Sequence, residues 1–163
     1  MTDIVEPLPI VVGVDGSAAS VEALSYAARI AAALDVPLAA VTTWTYPVML
    51  DPFDPGTEWS PKMDAQRCLL DAVRAALQGS PPEHFSQSVV PGRAAEVLIE
   101  QSDRASMLVV GSRGHGGFAG LLLGSVSAAC AAHARCPVLV VHTPMPPAVT
   151  SEAPRASTPP EKR

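Results

Sequence analysis

Apolar residues in this chain fall into short solid blocks that alternate with longer segments of helical spacing. Residues 10–14 (IVVGV) are apolar and mostly β-branched, with no polar alternation. That is the pattern of a strand buried on both faces. Asp15, Gly16 and Ser17 follow as a turn and helix cap. Residues 18–34 then place Val21, Leu24, Ala28 and Ala31 on one face of a first helix. Pro37 precedes a second strand, LAAVTTW. Ser60-Pro61 opens a second helix, with Leu70, Val73 and Leu77 on one face and Gly79 at its end. Residues 85–90 (FSQSVV) form a third, weaker strand, and residues 93–104 a third helix. A fourth strand spans 107–110, a fourth helix 125–134, and Pro137 introduces the last strand, VLVVH.

Strands and helices alternating in this way predict an α/β domain, with a parallel sheet covered by helices on both faces. In such sheets ligands sit beyond the carboxyl ends of the strands, where strand order reverses. The loops after each strand are therefore where a site is sought. Residues 45–60 carry Pro47, Pro52, Pro55 and Gly56, which predicts a long loop. From Thr143 onward six prolines occur among Ser, Thr, Glu and Lys, and residues 143–163 are expected to be a disordered tail.

Composition narrows the picture. A chain of 163 residues fits one domain, and 48% hydrophobic residues with 4% aromatics predict a core of Val, Leu, Ile and Ala. A net charge of −5 argues against nucleic-acid or anionic-membrane partners. No apolar run reaches the roughly 20 residues that span a bilayer. The acidic start MTDIVEPLP lacks a signal-peptide pattern, so a cytoplasmic location is expected. Cys68, Cys130 and Cys136 have no metal or CxxC spacing and are read as reduced thiols.

Six of the eleven glycines lie between positions 111 and 124, in VVGSRGHGGFAGLLLGSVS. A turn needs one or two. The excess suggests that backbone approaches a ligand closely. The stretch ends where the fourth helix begins, and a helix N-terminus offers unpaired N–H groups and partial positive charge to phosphate. Ser125 and Ser127 add hydroxyls there. The P-loop pattern is absent, and the first strand–helix turn, Gly13-Val14-Asp15-Gly16-Ser17, lacks the dinucleotide fingerprint.

The spacing Gly111-xx-Gly114-(nine residues)-Gly124-Ser125 resembles the ATP-binding signature of the universal stress proteins. The flanks IVVGVDGS, LVVGSRGHGG, GLLLGSVS and HARCPVLVVH are similar to that family too, over residues 9–142. Ser106 departs from it, standing where the family usually has Asp, at the start of the fourth strand and away from the site. The resemblance implies an open, doubly wound five-stranded parallel sheet in the order 3-2-1-4-5. It implies a short extension over residues 1–8 and a nucleotide-binding domain over 9–142. It places Val14 and Asp15 near ribose or adenine, and the backbone of Val41 along the adenine edge. It implies that Gly111, Gly114, Gly124, Ser125 and Val126 surround ribose and phosphates; Gly116, Gly117 and Ser127 join the candidates from the glycine-rich loop itself, and Arg113, like His115, either reaches phosphate or points into solvent. The implied ligand is ATP, with any Mg²⁺ held by phosphates and water. The implied assembly is a homodimer paired through the last strand, at Val138 and Val140.

No catalytic constellation is visible, so the first expectation is a regulatory ATP-binding protein of the stress response. A slow ATPase acting as a timer, a cyclic-AMP binder and a nucleotide-free dimeric module remain as alternatives.

Overall fold

The structure, a computed structural model, describes residues 7–46, 60–115 and 122–143. Its elements alternate along the chain: β1 (Ile10–Gly13), α1 (Ala18–Leu34), β2 (Leu38–Trp44), α2 (Pro61–Leu77), β3 (Phe85–Pro91), α3 (Ala94–Gln101), β4 (Met107–Gly111), α4 (Ser125–His133) and β5 (Val138–Val141). A short 3-10 turn, Ser102–Arg104, follows α3, so the expected third helix is split. The Pro-rich loop between β2 and α2, Gly116 and Gly117, and the Pro-rich tail fall largely or wholly outside the described residues.

The five strands form one parallel sheet in the order β3-β2-β1-β4-β5. The expected fold class and strand order are therefore observed. Alternate strand residues feed two cores. Ile10, Val12, Leu38, Ala40 and Val109 pack against Leu24 of α1 and Leu69 of α2. Val11, Val41, Leu108 and Val110 pack on the other face against Val97 and Leu98 of α3 and Cys130 of α4. The strands are apolar on both sides because both sides are covered.

α1 lays Ala19, Ala23, Ala27 and Ala31, one residue in four, against the sheet. These small side chains let the helix axis approach closely. At Gly111 the approach is closest: a Cβ there would stand 2.8 Å from the Ala19 backbone carbon and 2.9 Å from the Ser20 nitrogen. Gly111 is thus required by helix–sheet packing. On α2, Leu69 is buried and Leu70 is 43% exposed, so the face expected to include Leu70 is rotated by one residue. Ser106 donates both its amide (2.9 Å) and its hydroxyl (3.2 Å) to Pro9 O at the amino end of the sheet, far from the carboxyl-end loops.

The order reverses at β1, which has β2 on one side and β4 on the other. The loops leaving β1 and β4 diverge there and open a crevice at the carboxyl end.

Candidate nucleotide site

A cavity of about 600 Å³ occupies this crevice, a size usual for small-molecule sites. Of the candidate site residues, Val14, Asp15, Val41, Gly111, Arg113, Gly114, Gly124, Ser125, Val126 and Ser127 all line it. Gly116 and Gly117 lie outside the described residues. Trp44, Thr43, Asp64, Cys68, Leu98 and His115 also contribute. α2 contributes Pro61, Asp64, Ala65 and Cys68 to the lining, and α3 contributes Ala94 and Leu98.

The β1–α1 turn is built around Asp15. Its Oδ1 accepts the Ser17 amide at 3.0 Å and the Ser17 hydroxyl at 2.6 Å. Ser17 Oγ in turn accepts the Ser20 amide at 3.2 Å, capping α1. Burial pushes the Asp15 carboxyl up, but the Ser17 hydroxyl and amide, the Ser20 hydroxyl and nearby His115 together hold it below its ordinary 3.8. Asp15 is therefore a carboxylate at neutral pH, an acceptor suited to ribose hydroxyls and unsuited to phosphate. Gly114 lies directly against the other carboxylate oxygen, which a Cβ at that position would strike.

One hydrogen bond ties the glycine-rich loop to this turn, with a longer polar contact beside it. His115 Nε2 lies 2.9 Å from Asp15 O; a carbonyl only accepts, so Nε2 carries the proton and donates. Ser17 Oγ also lies 3.4 Å from Arg113 O.

The loop neck is closed by a residue that sequence reasoning missed. The Ser112 carbonyl accepts the Gly124 amide at 2.7 Å and the Ser127 hydroxyl at 3.0 Å. Ser112 N in turn donates to Val141 O of β5 at 2.7 Å. Two expectations change as a result. The Ser127 hydroxyl is directed at the carbonyls of Ser112 and Gly124, so it positions the loop and its proton is not offered to a ligand. The Gly124 amide is likewise engaged.

What remains is the first turn of α4. Gly124 is its N-cap and supplies no side-chain cap, whereas Ser17 fills that role on α1. Helical bonding from this end begins with Ala128 N to Gly124 O. The amides of Ser125, Val126 and Ser127 are the ones the helix leaves open. Gly124 itself has an ordinary backbone (φ −76, ψ 167). Among the described residues a Cβ on it would meet nothing closer than 3.5 Å. Among the described residues, neither conformation nor packing demands glycine at 124, and the missing side chain leaves this helix end open to close approach.

At the β2 end, Val41 is 3% exposed and its carbonyl accepts the Val14 amide at 2.9 Å. Its backbone is committed to the sheet, which corrects the expected backbone contact; its side chain stays in the lining. In a parallel ladder a residue sends N–H and C=O to the same neighbour, and successive residues alternate. Leu38 N and Trp44 O both bond toward the β3 side, so Thr43 faces the β1 side. There β1 has already ended, opposite Val41. The Val14 carbonyl accepts the Thr42 hydroxyl instead, at 2.8 Å.

Cys68 touches this turn from α2, its sulfur 2.6 Å from where a Gly16 Cβ would stand. Burial and the carboxylates of Asp15 and Asp71 push its thiol up. It is a protonated wall residue and a poor nucleophile. Among the described residues no group of three or more His, Cys, Asp or Glu could hold a metal. No described helix is long and apolar enough to cross a membrane.

Known proteins are similar to this chain in sequence and fold. The family model for the "Universal stress protein family" matches residues 8–142. A universal stress protein of Mycolicibacterium smegmatis is 38% identical over 135 residues, covering 82% of this chain and 45% of the relative. One of Mycobacterium tuberculosis is 37% identical over 133 residues, covering 81% and 44%. The chain thus spans less than half the length of these curated relatives. Among solved structures, a universal stress protein in complex with cAMP aligns with TM-score 0.65 and 30% identity, covering 84% of this chain and 98% of that one. With the signature glycines at the helix end, the sheet order and the match over residues 8–142 in agreement, the chain belongs to the universal stress protein family.

Proposed function

We propose that the chain is an adenine-nucleotide-binding regulatory protein of the stress response, with ATP as its ligand. The carrying observation is the N-terminus of α4, uncapped at a glycine that needs no glycine for its own fold. Phosphates rest on the amides of Ser125, Val126 and Ser127, with Arg113 at the rim. Ribose hydroxyls meet the Asp15 carboxylate beside Gly114. The base lies toward β2, where the N–H and C=O of Thr43 address its edge. Bound ATP brings its own Mg²⁺, held by phosphate and water oxygens.

The relative solved with cAMP favours a second reading, in which the ligand is cyclic AMP. The same amides then hold one phosphate. Both readings give a binding protein whose occupancy is read by a partner. For assembly, we propose a homodimer paired through β5, which ends the sheet and leaves Val138 and Val140 partly exposed.

The test is mass spectrometry of nucleotide released from the purified protein, followed by calorimetric titration with ATP, cyclic AMP and GTP. Tight, saturable binding of ATP supports the first reading. Preference for cyclic AMP moves the assignment to the second. No adenine-nucleotide binding at millimolar concentration refutes both.

A further inference from the structure

We propose that Trp44 is a further ligand-binding residue of this cavity: its indole N–H donates a hydrogen bond to a ring nitrogen of the bound base, and Tyr46 holds the indole until the base arrives. The proposal rests on the adenine-nucleotide reading of the same site.

Trp44 is the last residue of β2 and lines the cavity. It stands three positions beyond Val41, the residue opposite the end of β1, so it projects where the sheet has opened into the crevice. It follows Thr43, whose backbone faces the same opening. Its Nε1 is withdrawn from water and has no hydrogen-bond partner; among the described residues no other side-chain nitrogen or oxygen is in that condition. Folded proteins rarely leave such a donor unpaired, because the missing bond is costly. The neighbouring Thr42 hydroxyl is committed to Val14 O.

The ring neighbour of the indole is Tyr46, edge to face with centroids 5.2 Å apart and planes at 83°. A ring is a weak acceptor at best. Tyr46 is itself 66% exposed, so little of the surrounding core fixes the pair. Rotation of two side chains at the rim exchanges the Tyr46 contact for an acceptor inside the cavity.

The acceptor is identified by the polarity of the site. Phosphates belong at α4, on the opposite side of the crevice, and ribose at Asp15. The group that reaches the end of β2 is the base. Adenine presents N1, N3 and N7 as acceptors, while its exocyclic amine donates and does not suit an N–H.

The test uses the full chain with Trp59→Phe, so that Trp44 is the sole tryptophan. ATP and its 1-, 3- and 7-deaza analogues are titrated by calorimetry into this protein and into its Trp44→Phe variant. A third protein carries β-(3-benzothienyl)alanine at position 44, which keeps the indole shape and lacks the N–H. We expect ATP affinity to fall about 3–10-fold in both substituted proteins. One deaza analogue should lose a similar factor on the parent protein, and for that analogue the parent and substituted proteins should differ by less than about twofold. Trp44 emission should change saturably with ATP at the calorimetric midpoint. Unchanged ATP affinity with benzothienylalanine, or an equal loss for ATP and all three analogues, overturns the proposal and leaves the nucleotide reading standing. No ATP binding by the parent overturns both.

Discussion

Gly124→Ala separates binding from folding at one carbon atom. The new Cβ would sit 3.5 Å from Ser112 O and 3.6 Å from Arg113 Cα, ordinary contacts. The backbone at φ −76, ψ 167 accepts any residue. Alanine is a poorer N-cap than glycine, at a cost of about 0.5–1 kcal/mol. Its stiffer unfolded chain offsets about 0.4–1 kcal/mol of that. Stability should therefore move by less than about 1 kcal/mol. Binding should not be so tolerant, because the methyl group stands where a phosphate oxygen must reach the α4 amides. Losing one charge-assisted hydrogen bond costs about 1.5–3 kcal/mol, or roughly 10- to 150-fold in Kd; Gly124→Val should lose at least as much. Gly111→Ala is the control with the opposite outcome. Its Cβ meets main-chain atoms of Ala19 and Ser20 at 2.8–2.9 Å, and overpacking against backbone costs about 1–3 kcal/mol. Its Tm should fall by about 2–12 °C. Gly114→Ala is a less clean probe, because its Cβ displaces the Asp15 carboxylate. Thermal melts and ATP calorimetry on Gly124→Ala and Gly111→Ala give the answer. A folded Gly124→Ala protein with wild-type ATP affinity would refute the phosphate assignment.

Ser17→Ala removes the α1 cap and the hydroxyl donor to Asp15, leaving the backbone amide donor in place, and should cost about 1–2 kcal/mol at neutral pH. Asp15 has a lowered folded-state pKa, so its stabilising effect is complete above about pH 5 and fades as pH falls through 3.8 and below; the gap between acid melts of wild type and Ser17→Ala should narrow there to what the pH-independent α1 cap contributes, and parallel or diverging curves would refute the coupling of Asp15 to the Ser17 hydroxyl. ATP turnover should stay under about one per minute, against about 1–1000 per second for typical enzymes; a faster Mg²⁺-dependent rate abolished by Asp15→Asn in a folded protein would establish an ATPase. Val140→Lys should weaken the dimer, and truncation after Thr143 should not; light scattering that finds a wild-type monomer, or a dimer lost only with the tail, rejects pairing through β5.

The sheet was legible because each strand is a solid apolar block, buried on both faces, and each helix repeats at its own period. The glycine spacing likewise located the start of α4. Other features depend on contacts between residues far apart in sequence. Gly111 and Gly124 look alike in the sequence, yet one serves Ala19, ninety-two positions earlier, and the other has, among the described residues, no neighbour that needs it. Val41 and Thr43 differ only through the register that ends β1 opposite Val41. The direction of the Ser127 hydroxyl depends on the Ser112 carbonyl lying beneath it. Trp44 and Cys68 enter the cavity because α2 packs over the crevice, and the loop that precedes α2 carries too many prolines for periodicity to place it.

The strand order also determines how occupancy of the crevice is felt by the backbone. β1 and β4, which flank the crevice, each have neighbours on both sides, and Val12 and Val109 are fully buried. β3 lies at an edge, with Ser86, Gln87 and Ser88 exposed. Amide hydrogens of the central strands exchange with solvent only when the whole domain opens, whereas those at an edge exchange through local fraying. Ligand at one hundred times its Kd adds about 2.7 kcal/mol to global stability. That increment should slow exchange about a hundredfold at Val12 and Val109 and leave the frayed edge unchanged. The slowest hydrogens in the molecule thus lie beneath the ligand and record its presence.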